Sequence, residues 1–121
     1  MKLIYFTKTG NIERFIIKSN EKATQGSSSL IVDEDFVLIT YTIGFGETPI
    51  EVSTFLEYKD NYKFLKGIIG SGNKNWGIKY CKAAFDIAEK YNVQVLQTFE
   101  LAGNKHDMAR FKTIIGGLNG K

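Results

Sequence analysis

Three short stretches of this 121-residue chain carry residue types able to hold a small charged ligand. The first is Thr7-Lys8-Thr9-Gly10-Asn11, which places two hydroxyls, an ammonium and a glycine directly before a segment in which Ile12, Phe15 and Ile16 recur at helical spacing. The first turn of a helix offers amide N–H groups with no acceptor inside the helix, together with the positive end of its dipole. Hydroxyls and a glycine at that point suit a phosphate monoester. The same five residues also make a plain glycine turn leading into a capped helix, and on this pattern alone both readings stand. The stretch lacks the Gly-Lys-Ser/Thr ending of a nucleotide P-loop and the G-x-G-x-x-G spacing of a dinucleotide turn.

The second stretch contains Tyr41, Thr42, Gly44, Phe45 and Gly46; the third runs Ser71-Gly72-Asn73-Lys74-Asn75-Trp76-Gly77. Both set glycine beside aromatic rings and amides. A flat heteroaromatic ligand needs ring surfaces to stack on and backbone donors at its polar edge, and glycine lets the backbone come close. A flavin meets that description. Read structurally instead, Tyr41 plugs a strand end and Trp76 anchors a helix end. One cysteine and one histidine in the whole chain exclude an internal disulfide and a closed zinc site of soft ligands. A bound flavin would itself carry the redox work, with the protein supplying orientation and electrostatics, so no residue is expected to act as general acid, base, nucleophile or metal ligand. Cys81 reads as an inert core thiol, His106 as a surface residue and Asp33-Glu34-Asp35 as a solvated run.

These stretches must be positioned by the elements between them. Apolar runs predict strands over Lys2 to Phe6, Phe36 to Thr40 and Leu65 to Gly70, a short edge strand near Ala23 to Gln25, and an alternating edge strand over Val93 to Leu101 with Val93, Val95, Phe99 and Leu101 on one face. Helices are expected after an Asn11 cap, after Thr48-Pro49-Ile50-Glu51, after Gly77 and over Asn104 to Ile115. In the second, Thr48 caps, Pro49 takes the first helical position and Glu51 closes a capping box, with Val52, Phe55 and Leu56 facing inward. The third has Ile78, Cys81, Phe85 and Ala88 as its inner face; the last packs Met108, Phe111 and Ile115. Alternation of strand and helix over short loops specifies a three-layer α/β fold, a five-stranded parallel sheet of order 2-1-3-4-5 with helices on both faces. Ligands of such sheets bind beyond the carboxyl ends of the strands beside strand 1. The three stretches follow strands 1, 3 and 4, and with Gly70 they hold half of the 12 glycines.

Composition sets the remaining bounds. Hydrophobic residues at 43% and charged residues at 24% describe a globule that buries a core, and the length suits a single domain over residues 1–121. A net charge of +3 is far from the dense basic stripe that duplex binding requires, so no nucleic acid partner is expected. No apolar run approaches the roughly 18 residues of a membrane span, and Met1-Lys2-Leu3-Ile4 does not open a secretory leader, so a cytoplasmic protein without a membrane partner is expected.

Taken together, Thr7-Lys8-Thr9-Gly10-Asn11, the string Asp33-Glu34-Asp35-Phe36 leading to Thr40-Tyr41-Thr42-Ile43-Gly44-Phe45-Gly46, and Gly70-Ser71-Gly72-Asn73-Lys74-Asn75-Trp76-Gly77 closely resemble the NrdI family, small flavodoxin-like activators of class Ib ribonucleotide reductase. The resemblance spans essentially the whole chain. It implies the flavodoxin-like form of the fold and an FMN cofactor whose phosphate is held by Thr7, Lys8, Thr9, Gly10 and Asn11. Tyr41, Thr42, Gly44, Phe45 and Gly46 would flank the flavin on one side, and Ser71, Gly72, Asn73, Trp76 and Gly77 on the other. It further implies an accessory redox flavoprotein that takes electrons from an upstream reductant and passes them to dioxygen. The superoxide so made would oxidise a dimanganese site in the reductase's small subunit and drive formation of its tyrosyl radical. Ile12 departs from the general flavodoxin loop, where a threonine often stands, and removes one phosphate contact. A receiver module of the same fold is disfavoured, because Thr7-Lys8 and Thr40-Tyr41 stand where it needs carboxylates. A flavodoxin-type electron carrier for another partner remains compatible with the residues.

Overall fold

A computed structural model describes residues 1–43 and 46–119. Gly44 and Phe45, both assigned above to the flavin site, lie outside the described residues. Five parallel strands, β1 (Lys2–Tyr5), β2 (Thr24–Gln25), β3 (Phe36–Tyr41), β4 (Leu65–Gly72) and β5 (Gln94–Glu100), form one sheet in the order β2-β1-β3-β4-β5. This is the expected order. Four helices cover it: α1 (Asn11–Ser19), α2 (Ile50–Glu57), α3 (Lys82–Tyr91) and α4 (Lys105–Asn119).

Side chains of the central strands alternate between two apolar layers, as the period of a strand demands. Ile4, Phe36, Leu38 and Ile68 pack with Val52, Phe55 and Leu56 of α2 and with Ala84, Ile87 and Ala88 of α3. Leu3, Tyr5, Val37, Ile39 and Ile69 pack on the opposite face with Ile12, Phe15 and Ile16 of α1 and with Phe111 and Ile115 of α4. Phe15 stacks on Phe99 at a centroid distance of 4.0 Å and meets Phe111 edge-on at 5.0 Å. Between α2 and β4 the chain passes through a 3-10 segment, Tyr58–Phe64, in which Lys59 and Asp60 both take left-handed backbone angles. Asn61, fully buried there, donates through Nδ2 to the carbonyls of Leu30 and Phe55, each at 2.8 Å, and accepts the Val32 N–H at 3.0 Å. One amide thus ties the irregular 30–32 segment to the end of α2.

Four local expectations are corrected. The cap of α1 is Gly10 at φ 86, not Asn11, which is the first helical residue. Pro49 occupies the cap of α2 rather than its first turn, and no capping box forms, because proline has no N–H and Glu51 is only the second helical residue; its carboxylate accepts the Tyr41 hydroxyl. α3 begins at Lys82, after a second 3-10 segment (Lys74–Lys79), and buries Ala83, Ala84, Ile87 and Ala88. Phe85 is 52% exposed, outside the inner face expected for it, and Cys81 precedes the helix at φ 54. In β5 a bulge leaves Leu96 unmatched between the pairs Ile68↔Val95 and Ile69↔Gln97. An extra residue reverses the side-chain alternation beyond it. Val93 and Val95 therefore pack in one layer, Leu96 and Phe99 in the other, and Leu101 leaves the strand at φ 54, 45% exposed.

Candidate functional site

The carboxyl ends of β1, β3 and β4 deliver all three stretches to one cavity of about 310 Å³, at the small end of ordinary ligand pockets. Thr7, Lys8, Thr9 and Asn11 line it from the first loop. Tyr41 and Thr42 line it after β3, and Ser71, Gly72, Asn73 and Trp76 after β4. Gly10, Gly46 and Gly77, assigned above to the site, have positive φ angles in its loops and are not among the residues lining the cavity.

The first loop closes on itself: the Gly10 N–H donates to Thr7 Oγ1 at 3.1 Å, and Gly10 then starts α1, its carbonyl accepting the Arg14 N–H at 2.9 Å. No side chain caps this helix. The amides of Asn11, Ile12 and Glu13 therefore precede the first bonded turn and have no acceptor within the helix. Asn11 Oδ1 accepts from the Arg14 guanidinium. Lys8 and Lys79 are the basic residues of the lining, and no carboxylate is among the described lining residues. The arrangement favours an anion.

After β3 the chain turns sharply. Ile43 and Glu47 form an antiparallel bridge, and Gly46 at φ 110 returns its N–H to the Ile43 carbonyl at 3.0 Å. The backbone angle favours glycine at Gly46, where a Cβ would stand 2.7 Å from the movable Lys82 Cδ. Thr42 Oγ1 accepts the Ala83 N–H at 3.0 Å, so this hydroxyl caps α3. The Tyr41 hydroxyl donates to Glu51 Oε1 at 2.8 Å. Burial first, and then this bond, push the phenol up to about 12.

The loop after β4 is tied to the end of β5. Ser71 Oγ donates to the Leu101 carbonyl at 2.7 Å, the Leu101 N–H to the Gly72 carbonyl at 2.9 Å, and the Lys74 N–H to Glu100 Oε2 at 3.1 Å. Asn73 Oδ1 accepts the Asn75 N–H at 2.9 Å and so caps the following 3-10 segment. Gly77 breaks that segment at φ 59 and ψ −123. Trp76, 42% exposed, stands on the cavity rim. The hydroxyls of Thr42 and Ser71 thus hold the scaffold, and the ring surfaces come from Tyr41 and Trp76.

Ile12, Ile43, Lys79, Cys81 and Leu101 also line the cavity, beyond the residues chosen from sequence. Leu101 had a usable signal: a parallel sheet opens its crevice at every strand end, the fifth included. Cys81 had none, because its break in the helix shifts the phase on which its burial was judged. Burial pushes its thiol up to about 11, against the lowering effect of bonds from Tyr80 and the Phe99 backbone, so it remains protonated and a poor nucleophile.

Comparisons with known proteins agree with this architecture. The family model described as NrdI Flavodoxin like matches residues 3–113. Among solved structures, a short-chain flavodoxin associated with a PDU bacterial microcompartment superposes at a TM-score of 0.66 and 22% identity, covering 97% of this chain and 94% of that one. The metal-soaked flavodiiron core of Flv1 from Synechocystis gives 0.53 and 14%, covering 98% of this chain but 36% of that one. At these identities the structural matches show the fold.

Proposed function

From the premise that the chain belongs to the NrdI flavodoxin-like family, we propose that it is an FMN-binding redox protein that serves as the activator of a class Ib ribonucleotide reductase. The observation that carries the cofactor is the start of α1, uncapped by any side chain and preceded by Lys8, opening into a cavity lined by Tyr41 and Trp76. That donor set fits FMN: amides, the Thr9 hydroxyl and Lys8 at one end answer a phosphate, and rings and close backbone answer an isoalloxazine.

In that role the Thr7-to-Asn11 loop binds the phosphate with backbone amides held in place by the bond from Gly10 N–H to Thr7 Oγ1. Tyr41 presents its ring to the cavity while its hydroxyl points to Glu51. Trp76 forms the opposite rim and covers part of the ligand from water. Gly46 and Gly72 let the backbone approach where a side chain would collide with Lys82 or with the Cys81 backbone. Reduced FMN would supply electrons to dioxygen, and the superoxide formed would oxidise the dimanganese site of the small subunit for tyrosyl-radical formation. The residues themselves bind, orient and shield.

Two measurements test this. Purified protein mixed with FMN should take up one flavin and release it on denaturation; retention of none would remove the cofactor assignment. With an upstream reductant and dioxygen, the flavin-loaded protein should generate a tyrosyl radical, read by electron paramagnetic resonance, in a dimanganese-loaded small subunit. Flavin uptake without radical would leave an electron carrier serving another partner.

A further inference from the structure

Glu51 does not line the main cavity, yet it is bonded to a residue that does. It is the second residue of α2 and borders a separate groove shared with Pro49, Ile50, Ile43, Tyr41, Thr7 and Lys8. Its carboxylate accepts the Tyr41 hydroxyl at 2.8 Å. We propose that Glu51 is a positioning residue for the flavin site: it anchors the Tyr41 ring from behind, so that Tyr41 offers a fixed ring face and no hydrogen-bond donor to the cofactor. This rests on the FMN reading above and extends it to a residue outside the cavity.

Three observations support the assignment. Tyr41 is the last residue of β3, where the ladder ends, and it packs against both apolar layers without being enclosed by either. Such a half-buried ring keeps rotamer freedom unless its tip is held. The holder is well placed, since Glu51 is fixed in the first turn of α2 with its carboxylate oxygen 2.8 Å from the Tyr41 hydroxyl. Finally, the phenol has one proton, and a charge-assisted bond to Glu51 directs that proton away from the cavity. With Pro49 as its cap, α2 has no cap N–H for a capping box to use, and the Glu51 carboxylate bonds across to β3.

The test is a double-mutant cycle on FMN affinity, with the visible-region circular dichroism of bound FMN as the second readout. Glu51→Ala and Tyr41→Phe should each weaken binding by about three- to tenfold and change the dichroism alike, and the double variant should be no weaker than the worse single one. Glu51→Gln, whose amide oxygen still accepts, should recover most of the affinity. Additive losses, or Glu51→Ala binding as tightly as the unchanged protein with the same dichroism, would overturn the assignment while leaving the FMN reading intact. If the unchanged protein bound no FMN, both would fall together. A fold lost in Glu51→Ala would show in its far-ultraviolet spectrum, and Tyr41→Phe against Glu51→Gln would then decide: loss in the first and retention in the second supports the anchor, and equal affinities refute it.

Discussion

Tyr41, Tyr80 and Tyr91 each hold their phenol protons more tightly than an ordinary tyrosine, and burial is the first cause in all three. Glu51 adds to it at Tyr41, Cys81 at Tyr80 and Glu57 at Tyr91. Tyr41 and Tyr80 reach about 12 from the ordinary 10.0. A folded-state value above the unfolded one contributes stability that is complete below the unfolded value and is lost as pH rises through the folded one. The melting temperature should therefore hold from neutral pH to about pH 9 and fall between about pH 10 and 12, and Tyr41→Phe should flatten part of that fall in a pH series of thermal melts. Asn61 is the second residue whose removal has a defined consequence. Asn61→Ala strands two carbonyls and one N–H in the interior. A loss of about 2–4 kcal/mol is expected in urea unfolding. Neither role was legible in sequence. A partner about 30 residues away leaves no local pattern.

At the scale of elements, strands were easier to read than helix phases. Phe36 to Thr40 is apolar until its end and Leu65 to Gly70 is interrupted only by Lys66, and both prove to be central strands. The third helix failed because large side chains dominate a periodicity count, whereas its buried face is made of Ala83, Ala84, Ile87 and Ala88. Small residues are there because β4 lies directly beneath. A Cβ on Gly70 would stand 2.7 Å from Ala84 Cβ. Gly70→Ala should destabilise by about 1–3 kcal/mol through overpacking, whereas Phe85→Ser on the outer face of the same helix should change stability by no more than about 0.5 kcal/mol; a pair of denaturant curves compares them. The edge strand failed for a different reason. A bulge inserts one residue without any sequence mark, and every inward and outward assignment after Leu96 reverses.

For the molecule as a whole, strand order and the place of the crevice followed from strand–helix alternation, because crossover handedness leaves few topologies. The three loops share one end of the sheet because every parallel strand finishes there. Basic side chains gather around the opening. Lys8 and Lys79 line the cavity, Lys74 borders the neighbouring groove, and Lys82 pairs with Asp86 at 2.6 Å. With a net charge of +3, the second reduction of a bound flavin, which adds negative charge to the ring, should meet less repulsion than in an acidic flavodoxin. Spectroelectrochemical titration should find its two potentials closer together, and Lys79→Glu should move them apart.

The ends of the sheet carry a last consequence. One margin is β2, only two residues long, and the other is β5, whose ladder is interrupted at Leu96. Neither offers a straight row of unpaired amides and carbonyls long enough to template strand addition by another copy. The irregularity that reverses the faces of β5 thus also guards a partly folded chain, with Val37, Leu38 and Ile39 still uncovered, against growing outward into an aggregate.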